Sequence, residues 1–164
     1  MLHLGQIVSN LYVGSCLSST DEIDDLTAIP ITAVLNLQTD DDFNLENIDW
    51  PRLANRYRQV HVQVVRIEVR GPGVLQVKLA DCLDALRDLL GNGRVVLVHC
   101  TEGKNRSPTV VIAYLHRVLG WALDDAVRHV RSKWPISDPY PEVVTQSENA
   151  GSRSTPTSAG GSAS

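Results

Sequence analysis

Cys100 and Arg106 stand six positions apart, with Gly103 between them, His99 just before and Ser107-Pro108 just after. Cysteine attacks as a thiolate, and a helix N-terminus or a neighbouring cation favours that form. Both are expected here. Val95-Val96-Leu97-Val98 is an apolar run of strand length, and Ser107-Pro108 reads as a helix start, with Ser107 as N-cap and Pro108 at the first helical position. The stretch between turns the chain from strand to helix, which points backbone N–H groups at one spot and makes an anion site. In that setting Cys100 is expected as a thiolate at neutral pH. Arg106 carries a planar fork that holds two phosphoryl oxygens at once and stabilises charge in the transition state. A thiolate nucleophile inside a phosphate cradle implies attack on phosphorus and a covalent phosphocysteine.

The other residues of the stretch take roles around that reaction. Thr101, Glu102, Gly103, Lys104 and Asn105 wrap the phosphate together with Arg106. Lys104 and Asn105 line the mouth, where Lys104 attracts anions. Gly103 supplies a backbone conformation closed to residues with a Cβ. Ser107 can donate a hydrogen bond to the cysteine sulfur and ease its departure. An inert cysteine ending a buried strand is the plainer alternative, but it leaves Gly103, Arg106 and Ser107 unexplained together.

The elements that must position this loop alternate along the chain. Ile7 to Ser15 reads as a short strand ending in a turn, and Ile31 to Gln38 as a second, buried strand. Between them Thr20 caps a helix through Leu26 that Pro30 stops. Asp40-Asp41-Asp42 reads as a solvated loop rather than a metal site, because no partner cluster accompanies it. Trp50-Pro51 opens a helix to about Gln59, and Val62 to Val69 is the third strand. Leu79, Leu83, Leu86 and Leu90 recur at helical spacing, which predicts an amphipathic helix from about Val74 to Leu90 closed by Gly91-Asn92-Gly93. Pro108 to Leu119 is nearly all apolar and reads as the buried central helix; Leu123 to Lys133 forms another, ended by Trp134-Pro135. Strands alternating with helices predict an α/β fold with a mostly parallel central sheet flanked by helices, in one domain over residues 1–144. Residues 145–164, rich in Ser, Gly and Thr, read as a disordered tail or linker.

Composition narrows the function further. The 164 residues are 43% hydrophobic, enough for one core and too few for two ordinary domains. A net charge of −4 gives no nucleic-acid footprint. No apolar run reaches membrane-spanning length, and Met1-Leu2-His3-Leu4-Gly5 lacks a targeting block. An intracellular soluble protein is expected, cytoplasmic or, where a transit peptide is missing from this chain, plastid. Cys16, Cys82 and Cys100 make no disulfide framework; Cys82 reads as packing, while Cys16 or Cys82 could serve as a resolving thiol for Cys100. No metal-ligand cluster accompanies the loop, so neither metal nor cofactor is expected.

His99-Cys100-x5-Arg106-Ser107 resembles the active loop of the cysteine-dependent protein phosphatases, specifically their small dual-specificity branch. Leu11-Tyr12-Val13-Gly14-Ser15 is similar to that branch's entry strand. Asn36-Leu37-Gln38-Thr39-Asp40 before a Trp-containing helix, His99-Cys100-Thr101, and Ile112-Ala113-Tyr114-Leu115-His116 are closest to the plant glucan phosphatases that act on phosphorylated starch. The resemblance covers about residues 9 to 142. It implies that His99 faces the protein and orders the loop by hydrogen bonding, and that the substrate partner is a phosphoprotein or a phosphorylated glucan. Trp50, Trp121 and Trp134 could stack on sugars, although buried tryptophan is the commoner reading.

The resemblance also implies an aspartate after the third strand that protonates the leaving oxygen, worth about 10²–10⁴ in rate. Here that loop reads Glu68-Val69-Arg70-Gly71-Pro72-Gly73, with no Asp between Asp49 and Asp81. Three residues are candidates for the acid: Glu68, at about the right spacing; Asp138, whose Asp138-Pro139 resembles the acid of low-molecular-weight tyrosine phosphatases; and Glu102, inside the loop. The active loop departs from active glucan phosphatases at Glu102 and Asn105. A second reading therefore accompanies the enzyme: a catalytically weak relative that binds phosphate or phosphoglucan as a scaffold.

Overall fold

A computed structural model describes residues 2–151. Strand β1 (Leu4–Val8) and strand β2 (Leu11–Gly14) form an antiparallel hairpin. The sequence reading took Ile7–Ser15 as one strand; the chain reverses within it at Ser9-Asn10, turn-forming residues. The remaining strands are β3 (Ala33–Asn36), β4 (Gln63–Arg66) and β5 (Val96–His99), and the sheet runs in the order β1-β2-β5-β3-β4. Every pairing except β1 with β2 is parallel, so the mostly parallel α/β sheet is as expected. Strand β5 lies at the centre and is wholly buried, as an apolar run covered on both faces must be.

Helices cover both faces. Helix α1 (Thr20–Ala28), α2 (Asp40–Leu45) and α3 (Trp50–Gln59) lie on one side, over a core that includes Ile23, Leu26, Phe43, Leu53 and Tyr57. Helix α4 (Pro72–Gly91), α5 (Arg106–Ala113), α6 (Leu123–Lys133) and α7 (Pro141–Gly151) pack over the other core, which includes Leu79, Leu86, Ile112, Val130 and Val144. The central helix predicted over Pro108–Leu119 is α5 continued by a π-helical turn at Tyr114–Val118.

Two boundaries differ from expectation. Asp40-Asp41-Asp42 is the first turn of α2, not a solvated loop, because Thr39 and Asp42 form a reciprocal capping box. Helix α7 runs across the junction at 144/145, with Val143 and Val144 buried; the rest of the expected tail, 152–164, lies outside the described residues. Among the described residues no helix is long and apolar enough to cross a membrane, and no three metal-ligating side chains converge.

Candidate active site

The loop from Cys100 to Arg106 leaves the carboxyl end of β5, the position at which open α/β sheets bind ligands. Cys100 is 2% exposed at its base. Helix α5 begins at Arg106 with Asn105 as N-cap and no side-chain capping bond, so Ser107 is not the cap and Pro108 sits in the third helical position. The hydroxyl expected to cap the helix has other partners. Ser107 Oγ lies 3.3 Å from Cys100 Sγ and donates to the Gly14 carbonyl at 3.2 Å. Asn105 Nδ2 donates to the Asp138 carbonyl at 2.7 Å instead of capping.

Gly103 has φ +71°, and a Cβ there would stand 2.8 Å from the Gly14 carbonyl carbon and oxygen. Both facts demand glycine. The hairpin end thus forms the floor of the loop; the Cys16 N–H donates to the Thr101 carbonyl at 2.8 Å. From the other side Trp134 Nε1 donates to the Gly103 carbonyl at 2.7 Å, and the Asp138 N–H donates to the Lys104 carbonyl at 2.7 Å. Gln38 Nε2 donates to Thr101 Oγ1 at 3.1 Å. His99 is fully enclosed, and its Nδ1–H donates to the Cys100 carbonyl at 3.0 Å. Burial pushes its pKa down to about 4, against the opposing pull of that hydrogen bond and with help from Arg106. His99 is therefore neutral, with its ring tied to the Cys100 carbonyl.

Arg106 reaches across to α2. Its Nη1 donates to Asp42 Oδ2 at 2.7 Å and its Nη2 to Asp42 Oδ1 at 3.2 Å, a bidentate pair. Nη1 also donates to the Val69 carbonyl at 2.8 Å. Burial opposes ionisation of Asp42, but the Arg106 bond and Thr39's backbone and hydroxyl donors outweigh it and hold its pKa down to about 2. Sequence reasoning missed this residue; its one local signal was the Thr39-x-x-Asp42 spacing of a capping box.

A cavity of about 220 Å³ lies over the thiol, lined by Asp42, Leu45, Glu46, Cys100, Thr101, Glu102, Lys104, Asn105 and Arg106. Of residues 100–106 only Gly103 does not line it, being buried beneath, and the predicted site residues His99 and Ser107 are likewise buried behind it. No tryptophan lines it. The candidate acids separate clearly. Glu102 is on the cavity wall. Glu68 lines a neighbouring cavity instead, where its Oε1 accepts from Arg66 Nη2 at 2.8 Å and from the Asp40 N–H at 3.2 Å. Asp138 abuts the loop through its backbone, with its side chain exposed. The loop after β4 presents the Val69 carbonyl to Arg106, while Gly71 and Pro72 open α4. Glu46, at the end of α2, joins Glu102 as a wall carboxylate that sequence reading did not single out. Burial pushes Cys16 up to about 11 and Cys82 to about 12, so both are protonated at neutral pH; Cys82 is fully buried packing.

Comparison with known proteins gives the family and the fold. A family model described as "Dual specificity phosphatase, catalytic domain" matches residues 11–146. Among curated proteins, the chain is 32% identical over 129 residues to phosphoglucan phosphatase DSP4 of Castanea sativa, covering 76% of this chain and 34% of that one. It is 30% identical over 128 residues to phosphoglucan phosphatase LSF1 of Arabidopsis thaliana, covering 77% and 21%. It is 37% identical over 84 residues to dual specificity protein phosphatase 1 of the same plant, covering 51% and 42%. The chain thus spans about a fifth to two fifths of the length of these relatives. Among solved structures, human DUSP28 shares the fold at a TM-score of 0.69 and 22% identity, covering 91% of this chain and 95% of that one. A Cys–Arg loop on an α/β sheet, matched over most of its length by the family model, places this chain in the dual specificity phosphatase family.

Proposed function

We propose that the domain hydrolyses phosphate monoesters by two displacements at phosphorus. Cys100 Sγ forms an S–P bond as the ester O–P bond breaks, and the leaving oxygen takes up a proton. Water then attacks phosphorus, the S–P bond breaks, and inorganic phosphate leaves with the sulfur restored as thiolate. One observation carries the reading: Cys100 and Arg106 line a single small cavity at the N-terminus of α5, with the buried Ser107 hydroxyl against the sulfur. Ser107 has one hydroxyl proton and two acceptors within reach, the Gly14 carbonyl and the sulfur. Turning it to the sulfur stabilises the departing thiolate.

The leaving-group proton is the least provided step. Asp42 is ionised against Arg106 and has none to give. Glu102 and Glu46 on the cavity wall support a donor inside the cavity, whereas Glu68 caps α2. That the loop after β4 offers a carbonyl where a carboxylate is expected supports the second reading, a slow or binding-only relative. Two relatives named as phosphoglucan phosphatases support testing a phosphorylated glucan beside a phosphoprotein, and their chloroplastic and amyloplastic designations support a plastid location.

The experiment measures phosphate release, in chelator, from an aryl phosphate, a phosphopeptide and a solubilised phosphoglucan. Wild type is expected to turn over the aryl phosphate, with Cys100→Ser inactive and Arg106→Lys at least about 100-fold slower in kcat/KM, as loss of a charge-assisted clamp requires. Glu102→Gln and Glu46→Gln are expected to slow the phosphopeptide or phosphoglucan far more than the aryl phosphate, whose leaving oxygen needs little protonation. Equal activity of wild type and Cys100→Ser would overturn the phosphocysteine reading. Binding of phosphate analogues without turnover of any substrate would establish the scaffold.

A further inference from the structure

The guanidinium of Arg106 has five N–H donors, and three are taken: two by the carboxylate of Asp42 and one by the Val69 carbonyl. Both Asp42 bonds fall on the Nη1/Nη2 end of the fork. What remains is Nε–H and the second Nη2–H, which are parallel and lie on the other edge. That edge is the one geometry by which the same guanidinium can still bind two oxygens of a phosphoryl group.

Asp42 is itself held by Thr39. Its Oδ2 accepts from the Thr39 N–H at 2.8 Å and the Thr39 hydroxyl at 3.1 Å, closing the capping box of α2. Helix α2 is in turn fastened to β4 by Arg66. That side chain donates to Asp40 Oδ1 at 2.8 Å and to the Gln38 carbonyl at 3.1 Å, and lies over the Phe43 ring, 4.4 Å from its centroid. Glu68 accepts from the same Arg66 and from the Asp40 N–H. A short helix of six residues has little stability of its own; these bonds give Asp42 a fixed place from which to hold the arginine.

We propose that Asp42 is the positioning residue for phosphate capture, holding the Nη1/Nη2 end of Arg106 so that the Nε/Nη2 edge stands ready toward the cavity over Cys100. The inference rests on the phosphatase reading and extends it to a residue on a different element, 64 positions from the arginine. Asp42 touches no reacting atom. Its effect comes through pre-organisation: an arginine already oriented gives up less side-chain freedom when phosphate arrives.

The test reads binding of tungstate, an inert tetrahedral oxyanion, by titration calorimetry on the whole chain, alongside kcat/KM for an aryl phosphate. Asp42→Asn is expected to weaken tungstate binding at least about tenfold and to lower kcat/KM by a similar factor, because a neutral amide no longer pairs both Nη groups. In an Arg106→Lys background the same change is expected to cost less than about twofold, since the two act as one unit. Thr39→Ala, which removes one of the bonds that hold Asp42 and leaves the carboxylate, is expected to lower the melting temperature and to weaken tungstate binding less than Asp42→Asn does. Should Asp42→Asn not fold, Asp42→Glu carries the test, with an expected intermediate loss that keeps the charge but displaces it. Wild-type tungstate affinity in the folded Asp42 variant, or an undiminished loss in the Arg106→Lys background, would overturn the proposal alone. A wild type that neither binds tungstate nor releases phosphate would overturn the phosphatase reading with it.

Discussion

In the proposed reaction the sulfur attacks and later departs, and that calls for a hydrogen bond it can take up at the right moment; the Ser107 hydroxyl lies within reach of both the sulfur and the Gly14 carbonyl. His99 works differently, because it must not take a proton at all. Its folded pKa of about 4 lies below the value near 6.5 that it has when unfolded. Above pH 6.5 neither state binds the proton, and the full contribution to stability is present. As pH falls through 6.5 toward 4 the unfolded state gains a proton that the native state refuses, so this contribution is lost at up to about 1.4 kcal/mol per unit. Chemical denaturation at pH 7 and pH 5 is therefore expected to show a drop of about 2 kcal/mol that His99→Asn abolishes; an equal drop in the variant would refute the assignment. At this scale the sequence was most readable where chemistry restricts residue type. The chemistry proposed for Cys100 and Arg106, and the backbone conformation at Gly103, are each open to few residue types. Asp42 was unreadable because an aspartate in an acidic run has many uses, and its partner is far along the chain.

At the scale of elements, the active loop is held less by its own helix than by segments that arrive from elsewhere. The turn after α6 supplies Trp134, whose indole N–H donates to the Gly103 carbonyl, and the Asp138 backbone, which clamps Lys104 and Asn105. Trp134→Phe keeps an aromatic ring but removes the pyrrole half of the indole with its N–H donor, leaving a buried carbonyl unpaired at a cost of about 1–3 kcal/mol. We expect a melting temperature several degrees lower and kcat/KM reduced about tenfold; unchanged activity would show that the loop keeps its shape unaided. The sequence indicated the helices here because their apolar spacing is local, as with Leu79, Leu83 and Leu86 on α4. It misplaced the start of α5 because Ser-Pro has the composition of a cap, whereas the hydroxyl is committed to the sulfur and a hairpin carbonyl. It misread the first turn of α2 for a similar reason: Asp40 and Asp41 are solvated as read, but all three aspartates sit at the positive end of a helix, and Asp42 is turned inward to Arg106.

At the scale of the molecule, the alternation of strand and helix was enough to predict a parallel sheet with its loop at the carboxyl edge. What could not be read was which distant backbone lies beneath that loop. Gly14 belongs to the hairpin, and its carbonyl meets Ser107, 93 positions later; Asp42 and Trp134 come from either side. With the Val69 carbonyl from the loop after β4, the finished site is thus the meeting point of five separated stretches, and this has a consequence for the order of assembly. Contacts between distant parts of a chain carry a loop-closure cost that local helices do not. During refolding from denaturant the helical signal is expected to recover ahead of the capacity to bind tungstate, with anion binding appearing only in the final phase. Recovery of both in one phase would mean that the loop forms together with the helices, and that competence is gained as soon as the backbone condenses rather than as its last act.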